Sequence, residues 1–426
     1  MSAGPYAVRP LDAPPDTDVV VPGSKSLTNR ALVAALLADG TSTLTNVLVA
    51  DDTEAMLDAV SLLGAGVRRE GTTVLVDGRG GHIADGPLTL DARQAGTTAR
   101  FLPPVLVLGR GRYAVEADAA MRARPMAPLI DALRALGVDV EEGGEPGHLP
   151  FTVVARGAID VVDPVPLRGD VSSQFLSGLL LAAPCYRHGL RVSLTTPLVS
   201  APYADMTLSV MGSFGIEDAT VEHVPPQRYR ASTFAVEPDA TAASYFLAAA
   251  AMTDGGRVRV PRLGRESVQG DVAFADVLRE MGADVTLGDD VVEVRGSGEL
   301  HGVDVDMGEI SDCAQTLAAI APFADSVTRI TGIGFIRRKE TDRVGNVVAE
   351  LRRCGAVAVE EDDGMVIEPS PSMHGAVVRT YGDHRMAMAF ALIGLRVDGI
   401  TIDDPSCVAK TFPGYWRALE GLRSRG

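Results

Sequence analysis

Five glycines recur along the sequence at a nearly constant interval, and this repeat constrains the fold more than any other feature. They are Gly64, Gly137, Gly215, Gly282 and Gly355, which lie 67 to 78 residues apart. Each follows a stretch that predicts a helix and precedes a short segment that is usually apolar. A glycine just past the last helical turn adopts the left-handed conformation that lets the chain turn into a strand. The spacing therefore predicts a repeating unit that contains a helix and a strand.

A second set of predicted helices alternates with the first at the same period. Each starts with Ser, Thr, Gly or Asp, which favour helix N-termini, and then becomes almost uniformly apolar, which is typical of a helix buried on all sides. A short strand is predicted before each of them, at 19–23 in the first case. The six segments are 24–40, 95–111, 171–184, 239–256, 310–323 and 382–395.

The repeating unit is thus strand, buried helix, strand, second helix, strand. Six units of about 71 residues account for all 426 residues. Periods near this size are typical of solenoids, but a single-layer solenoid would leave the apolar helices unburied. We therefore predict that three units pack around a shared helical core, twice over.

Charge and apolar patterning exclude several classes of protein. A formal net charge of −17 is a poor match for binding nucleic acid or an anionic membrane surface. The apolar stretches are too short to span a bilayer, and the opening residues, MSAGPYAVRPLDAPPD, do not resemble a secretory signal. The four cysteines form no CxxC pair, which argues against a zinc cluster or a disulfide framework. These features predict a cytoplasmic protein without a metal site.

Polar and charged residues gather at the starts of both sets of helices. Three of the 39 basic residues are lysines, and all three, Lys25, Lys339 and Lys410, lie at such starts. A helix N-terminus offers free N–H groups and a partial positive charge, so it already favours an anion. Several such termini together with Lys and Arg side chains predict a site for a polyanion that carries phosphate and carboxylate groups.

Taken one at a time, these segments also fit purely structural roles. PGSKS fits a capped helix start and lacks the P-loop pattern, because Ser24 rather than glycine precedes Lys25. SSQ is a common N-cap, KETDR is typical of a solvated helix start, and DHR fits a capped helix with a structural histidine. Their joint placement at equivalent points of the repeat favours a functional role.

Eight segments resemble the 5-enolpyruvylshikimate-3-phosphate synthase family, in the family's order and over nearly the whole chain. They are PGSKSLTNRAL, AGTTAR, RARPMAPLIDAL, VSSQFLSGLLLA, LVSAPYADMT, RRKETDRV, YGDHRMAMA and KTFPGY. The resemblance implies an α/β fold, an inverse α/β barrel of six βαβαββ units with three units in each of two domains. It also implies two crossings between the domains, so that one domain comprises 1–22 and 239–426 and the other 23–238, with the active site in the cleft between them.

The resemblance also implies a reaction. The enolpyruvyl group of phosphoenolpyruvate would be transferred to the 5-hydroxyl of shikimate 3-phosphate, with release of phosphate and without a metal or organic cofactor. This chemistry needs a base at the hydroxyl, an acid at the methylene carbon and cations that hold both anions. Asp312 is predicted to be the base, and Glu340, with Lys25 as a partner, is predicted to move the proton at the methylene carbon.

Substrate-binding residues follow from the same resemblance. For shikimate 3-phosphate, Ser172, Ser173 and Ser200 are expected at the phosphate, Arg30 with Ser26 at the carboxylate, and Tyr203 near the ring. Asp312 and Lys339 are expected at the ring hydroxyls, and Lys25 and Gln174 complete this set. For phosphoenolpyruvate, Arg343 and Arg385 are expected at the carboxylate, and Lys25, Gly96, Arg124, Gln174 and Lys410 at the phosphate.

The sequence departs from the family pattern at two places. Phe335 stands four residues before Lys339, where many members have asparagine, and RQAGT, with Arg93 and Gln94, replaces the familiar GNAGT. Gly96 is retained, so glyphosate is expected to inhibit by occupying the phosphoenolpyruvate site beside it. The resemblance further implies a monomer that binds neither nucleic acid nor membrane.

Two other interpretations stay open on sequence grounds. The sister transferase that acts on UDP-N-acetylglucosamine carries a reactive cysteine in a mobile loop before an Arg-Pro pair, and the corresponding segment here, EADAAMRARP, contains none. A noncatalytic repeat scaffold would have no reason to collect acids, bases and cations at equivalent helix starts.

Overall fold

The computed structural model describes residues 4–423. In chain order the strands are β1 (Tyr6–Ala7), β2 (Asp16–Asp18), β3 (Thr41–Thr45), β4 (Gly66–Glu70), β5 (Thr73–Asp77), β6 (Leu88–Asp91), β7 (Arg110–Glu116), β8 (Asp139–Glu142), β9 (Phe151–Arg156), β10 (Val165–Leu167), β11 (Leu190–Leu194), β12 (His223–Val224), β13 (Thr233–Ala235), β14 (Arg257–Pro261), β15 (Asp284–Leu287), β16 (Val291–Arg295), β17 (Asp304–Asp306), β18 (Thr328–Thr331), β19 (Ala358–Glu361), β20 (Gly364–Ile367), β21 (Val377–Val378) and β22 (Thr401–Ile402).

Helices alternate with these strands along the chain. The α-helices are α1 (Lys25–Leu37), α2 (Asp51–Leu62), α3 (Gly96–Leu106), α4 (Ala119–Arg122), α5 (Ala127–Ala135), α6 (Ser173–Ala182), α7 (Pro202–Ser213), α8 (Ala240–Ala251), α9 (Phe274–Glu280), α10 (Ala314–Ile320), α11 (Gly345–Arg353), α12 (His384–Gly394) and α13 (Tyr415–Gly421). Among the short 3-10 helices, Ser311–Cys313 and Pro405–Lys410 contain residues of the predicted site.

The chain divides into two compact units. The central unit is Gly23–Glu237, and the terminal unit combines Met1–Pro22 with Pro238–Gly426. The second division therefore lies one residue before the boundary that the sequence predicts. A backbone hydrogen bond from Asp239 N to Pro22 O, 2.8 Å long, joins the two segments of the terminal unit next to this point.

Each unit contains three sheets built on one pattern, a pair of parallel strands to which further strands add antiparallel. The strand orders in the central unit are β13-β3-β5-β4, β6-β7-β9-β8 and β10-β11-β12. Those in the terminal unit are β15-β16-β14-β2, β17-β18-β20-β19 and β1-β22-β21. None of these sheets closes on itself within residues 4–423. Three sheets in each of two units confirm the predicted two-domain α/β fold.

The two sheets next to the unit boundaries exchange their first strands. β2 precedes α1 but pairs in parallel with β14, and β13 precedes α8 but pairs in parallel with β3. Charge complementarity favours the first pairing, because Arg257 lies 3.0 Å from Asp16 and Arg259 lies 3.2 Å from Asp18. The strand predicted at 19–23 is therefore wrong in position, since β2 ends at Asp18 and the buried Val21 lies beyond it.

Apolar helices form the cores of the two units. Every residue of α3, α8 and α12 is buried, and so are all residues from Leu27 to Leu37 of α1. The prediction of helices buried on all sides is confirmed for these four. Within residues 4–423, no helix is both long and apolar enough to cross a membrane.

The five periodic glycines end helices as the sequence predicts. All five have positive φ, from 74° at Gly137 to 101° at Gly64. The residue after each glycine donates its N–H to the carbonyl five positions earlier, for example from Ala65 to Val60, which is the Schellman arrangement. A side chain at these positions would clash in the left-handed region and cost about 1–2 kcal/mol.

Candidate active site

The central unit brings together the starts of α1, α3 and α6. Ser24 and Ser172 are the N-caps of α1 and α6, with side chains that accept hydrogen bonds from Leu27 N (3.4 Å) and Gln174 N (3.3 Å). Asn29 of α1 donates to Thr97 Oγ1 of α3 at 2.6 Å, which joins these two helices near their starts. The predicted residues Ser26 and Ser173 also lie in these first turns. The N–H groups of neighbouring helix termini thus favour anions in this region.

Arg30 is a buried cation in the central unit, with 1% of its surface exposed. It donates from Nε to Thr207 Oγ1 (2.8 Å) and from Nη2 to Ser177 Oγ (3.0 Å) and Tyr203 O (3.0 Å). Burial lowers the pKa of Arg30 to about 10, so it is charged at neutral pH. No ion pair with Arg30 occurs within the described residues. A ligand carboxylate would offset the cost of burying this charge.

Gly96, Arg124 and Gln174 form a second cluster in this unit. A Cβ placed on Gly96 would lie 3.0 Å from Arg124 Nη1 and 3.2 Å from Gln174 Oε1. Arg100, on the first turns of α3, donates to Gln174 Oε1 at 2.9 Å and is buried. The three residues predicted to contact the phosphate therefore lie together. Because Gly96 has no side chain, no Cβ fills the space between its backbone and the Arg124 guanidinium.

Lys25 and Ser200 are further predicted site residues of the central unit. Lys25 Nζ lies 3.2 Å from Oδ2 of the buried Asp52, an acidic residue in the first turn of α2. Site prediction from the sequence missed Asp52, although the acidic start of α2 was a visible signal. Ser200 lies two residues before α7 and has a left-handed backbone with φ 52°.

Asp312 is the centre of an ion-pair network in the terminal unit. Its Oδ1 accepts hydrogen bonds from Lys339 Nζ (2.7 Å) and Arg343 Nη1 (3.3 Å), and its Oδ2 accepts one from Arg385 Nη2 (2.6 Å). Burial alone would raise the pKa of the Asp312 carboxyl, but Arg385, Lys339 and Arg343 together hold it well below its usual range. Asp312 is therefore a carboxylate that ion pairs keep charged.

Glu340 extends the same network. Its Oε2 lies 2.8 Å from Arg343 Nη2, and its Oε1 accepts a hydrogen bond from Lys410 Nζ at 2.8 Å. Lys410 is 5% exposed and Arg343 is 1% exposed. All six residues predicted for this unit thus lie in one network: Asp312, Lys339, Glu340, Arg343, Arg385 and Lys410.

Asp383 is a further member of this network that the sequence-based site prediction missed. It has no exposed surface, and its two oxygens accept from Arg343 Nε (2.7 Å) and Arg343 Nη2 (3.1 Å). As the N-cap of α12, it also accepts from Arg385 N at 2.9 Å. Its place at the start of the GDHR segment was the signal that could have identified it. With Asp383 included, we call these seven residues the terminal network.

Two other residues modify the surroundings of Asp312. The Lys339 ammonium lies 5.5 Å from the ring centroid of Phe335, so the residue that replaces the usual asparagine contributes a cation–π contact. Asp271 is buried and accepts a hydrogen bond from Thr241 Oγ1 at 2.6 Å. Burial first, and then the charge of Asp312, raise the pKa of Asp271 to about 6.

The terminal network has a chemistry suited to anionic substrates. Lys339, Arg343, Arg385 and Lys410 carry four positive charges, and Asp312, Glu340 and Asp383 carry three negative ones. Charge-assisted donors held by buried carboxylates are preorganised to bind carboxylate or phosphate. The carboxylates themselves are able to accept or donate protons.

Comparisons with known proteins agree over nearly the whole chain. The family described as EPSP synthase (3-phosphoshikimate 1-carboxyvinyltransferase) matches residues 13–419. The 3-phosphoshikimate 1-carboxyvinyltransferase of Trichormus variabilis is 43% identical over 417 residues, which cover 96% of this chain and 97% of that protein. The protein of the same name from Sulfurovum sp. is 44% identical over 417 residues, with 96% of each chain covered.

Similarity extends to solved structures. A structure of EPSP synthase from Acinetobacter baumannii matches this chain with a TM-score of 0.82 at 25% identity, and 98% of each chain is covered. Both the sequence and the fold are therefore similar to those of the same enzymes over almost their full length. The chain belongs to the EPSP synthase family.

Proposed function

We propose that this chain transfers the enolpyruvyl group of phosphoenolpyruvate to the 5-hydroxyl of shikimate 3-phosphate and releases phosphate, as a transferase of aromatic amino acid biosynthesis. The observation that carries the proposal is the terminal network, in which four cations surround Asp312 and Glu340. Both substrates are anions, and the reaction needs one group that accepts a proton and one that donates it. Family membership supports the same reaction.

Shikimate 3-phosphate is proposed to bind through its carboxylate, its phosphate and its ring hydroxyls. Arg30 pairs with the substrate carboxylate, because its buried charge is held by neutral groups of the protein. Tyr203 packs near the ring. Ser26 lies beside the carboxylate, and Ser172, Ser173 and Ser200 bind the phosphate with Lys25 and Gln174. Lys339 and Asp312 contact the ring hydroxyls.

Phosphoenolpyruvate is proposed to bind through its carboxylate and its phosphate. Arg343 and Arg385 hold its carboxylate, while Lys25, Gly96, Arg124, Gln174 and Lys410 surround its phosphate. A bound anion neutralises part of the positive charge around Asp312, and the pKa of Asp312 then rises towards its usual range. Asp312 thereby becomes a better base when the second substrate is present.

The proton transfers follow from this arrangement. A proton is added to the methylene carbon of phosphoenolpyruvate, the 5-hydroxyl oxygen bonds to the adjacent carbon, and Asp312 takes the hydroxyl proton. The resulting tetrahedral intermediate breaks its carbon–oxygen bond to phosphate and loses a proton from the methyl group, which restores the double bond. Glu340 moves the proton at this carbon, with Lys25 as its partner, because Lys410 and Arg343 hold Glu340 in place.

The proposal extends to ligands and assembly. Glyphosate, which is also an anion, inhibits by occupying the phosphoenolpyruvate site beside Gly96. The chain acts as a monomer in the cytoplasm, without an added cofactor and without nucleic acid or membrane as a partner.

Phosphate release tests the proposed function. The wild type is expected to release phosphate when shikimate 3-phosphate and phosphoenolpyruvate are both present, and not with either one alone. Asp312→Asn should abolish most of this release, whereas the matched Asp139→Asn, in an exposed ion pair with Arg156, should retain it. Release with UDP-N-acetylglucosamine in place of shikimate 3-phosphate would indicate the sister transferase, and no release in either assay would favour a scaffold.

A further inference from the structure

Glu350, on α11, is a buried carboxylate outside the terminal network. It has no exposed surface, yet three donors satisfy it. Its Oε1 accepts from Tyr381 OH at 2.7 Å, and its Oε2 accepts from Arg379 N at 3.0 Å and Arg353 Nε at 2.8 Å. Burying a carboxylate costs free energy unless hydrogen bonds compensate it, and a buried carboxylate with all its bonds made fixes the segments that donate to it.

Tyr381 lies in a strained loop that Glu350 contacts. Its φ of 54° is in the left-handed region, which is unfavourable for an aromatic residue, and Gly382 follows with φ 69°. The tyrosine is 39% exposed, so burial of its ring does not explain this conformation. Positive φ at both residues is typical of a type I′ turn, and the hydroxyl bond to Glu350 ties this turn to α11. Strained residues of this kind concentrate next to functional sites.

The strained loop leads directly to the terminal network. Asp383 comes two residues after Tyr381, and its N–H donates to Thr380 O at 2.9 Å, which closes the loop. Asp383 then holds Arg343 through two hydrogen bonds. Arg343 itself lies two residues before α11, the helix that carries Glu350.

Two chain segments are therefore joined at two points. The pair of Arg343 and Asp383 joins them within the terminal network, and the contact of Glu350 with Tyr381 and Arg379 joins them outside it. Loss of the outer contact would leave the orientation of Asp383 to its bonds with Arg343, with Arg385 N and with Thr380 O, without the support of α11. A planar guanidinium binds a carboxylate well over a narrow range of orientations, so a small shift of Asp383 would misalign Arg343.

We propose that Glu350 and Tyr381 are positioning residues for phosphoenolpyruvate, which hold Asp383 and, through it, Arg343 in the orientation that binds the substrate carboxylate. This inference rests on the proposed function. Burial, together with Glu350, raises the pKa of Tyr381, so its hydroxyl remains a hydrogen-bond donor at neutral pH.

Tyr381→Phe tests the inference, because it keeps the ring and removes the hydroxyl. We expect KM for phosphoenolpyruvate to rise about 3- to 10-fold, while KM for shikimate 3-phosphate stays within about twofold of wild type. Tyr229→Phe is the matched control, since its hydroxyl bonds to Leu181 O at 2.9 Å in the central unit. Glu350→Gln should give the same selective rise, and the double variant should be no worse than the worse single variant, because both act through one contact.

Direct binding of phosphoenolpyruvate by calorimetry separates the possible failures. Equal affinity and equal KM for phosphoenolpyruvate in Tyr381→Phe and wild type would overturn the inference. Equal rises in both KM values would do so as well, because a general loss of structure has no preference between substrates. A wild type that binds phosphoenolpyruvate but releases no phosphate would contradict the proposed function, and the affinities would still decide the inference. A wild type that binds none would contradict both.

Discussion

Replacing Asp383 by asparagine removes one charge from the most deeply buried ion pair of the terminal network. Asp383 and Arg343 have side chains that are 0% and 2% exposed, and two hydrogen bonds of 2.7 and 3.1 Å join them. The asparagine keeps one oxygen but turns an N–H towards a guanidinium that has donors only. One bond is therefore lost, and Arg343 loses one of its three carboxylate partners, keeping Glu340 and Asp312.

The expected loss of stability is large for a substitution of nearly equal size. Breaking a buried pair by removing one partner costs about 3–5 kcal/mol, and the retained oxygen together with the remaining partners Glu340 and Asp312 favours the lower value of about 3 kcal/mol. At about 2–4 °C for each kcal/mol in a folding unit of this size, the unfolding transition of the terminal unit should fall by about 6–12 °C. KM for phosphoenolpyruvate should rise in parallel, because Arg343 loses one of the two bonds through which Asp383 orients it.

Thermal unfolding and phosphate-release kinetics measure both effects. Asp139→Asn is the control, since it makes the same chemical change in an ion pair of 2.7 Å whose side chains are 61% and 76% exposed. Exposed pairs contribute about 0–1 kcal/mol, so this variant should unfold within a few degrees of wild type. If Asp383→Asn and Asp139→Asn unfold at the same temperature and with the same KM for phosphoenolpyruvate, the reasoning from burial is wrong.

Three further predictions follow from the same contacts. Replacing Lys25, Lys339 or Lys410 by arginine should lower kcat/KM by at least about tenfold, because the guanidinium is larger and flat and cannot take the position of a compact ammonium on a flexible stem; near-normal phosphate release in all three would contradict this. Gly96→Ala should raise the glyphosate concentration needed for half inhibition, since its Cβ would lie 3.0 Å from Arg124 Nη1; equal inhibition would refute it. Asp271 has a pKa raised to about 6 when folded, so the folded state binds the proton more tightly and wild type loses stability as pH rises from about 4 to 6. Asp271→Asn should not show this loss. Denaturant unfolding measures the free energy of unfolding of wild type and variant, and a difference between them that is the same at pH 4 and pH 7 would count against the raised pKa.

The repeat was predictable because its signals are local. Gly64 and its four counterparts follow helices and adopt positive φ, which the sequence indicates directly. The uniformly apolar stretches predict α1, α3, α8 and α12 because a helix without a polar face must be buried all round. The six site residues of the terminal unit were predicted from their type and position, and the structure places all six in one network. The predicted helix starts are wrong for Lys410, which ends a 3-10 helix, and for Lys339, which follows one.

Pairings over long distances were less predictable. β2 pairs with β14 and β13 pairs with β3, although each is closer in sequence to other strands. Because strands that are consecutive in sequence usually pair, proximity along the chain predicts the wrong partners. The contact of Phe335 with Lys339 was also not predicted. The sequence shows phenylalanine in place of the usual asparagine, but it does not show which side chain contacts the ring. Asp52 and Asp383 were missed because each forms an ion pair with a residue distant in sequence, Lys25 and Arg343 respectively.

The sequence by itself determined the unit, its six copies, the buried helices and the residue types at the helix starts. Each of these depends on propensities and periodicities within about twenty residues. The tertiary structure decided which charges meet, as when Arg343 joins Asp383 40 residues away and Glu340 joins Lys410 70 residues away. Such pairs depend on packing that brings distant segments together, since burial makes an ion pair necessary only after the fold has removed the water around it.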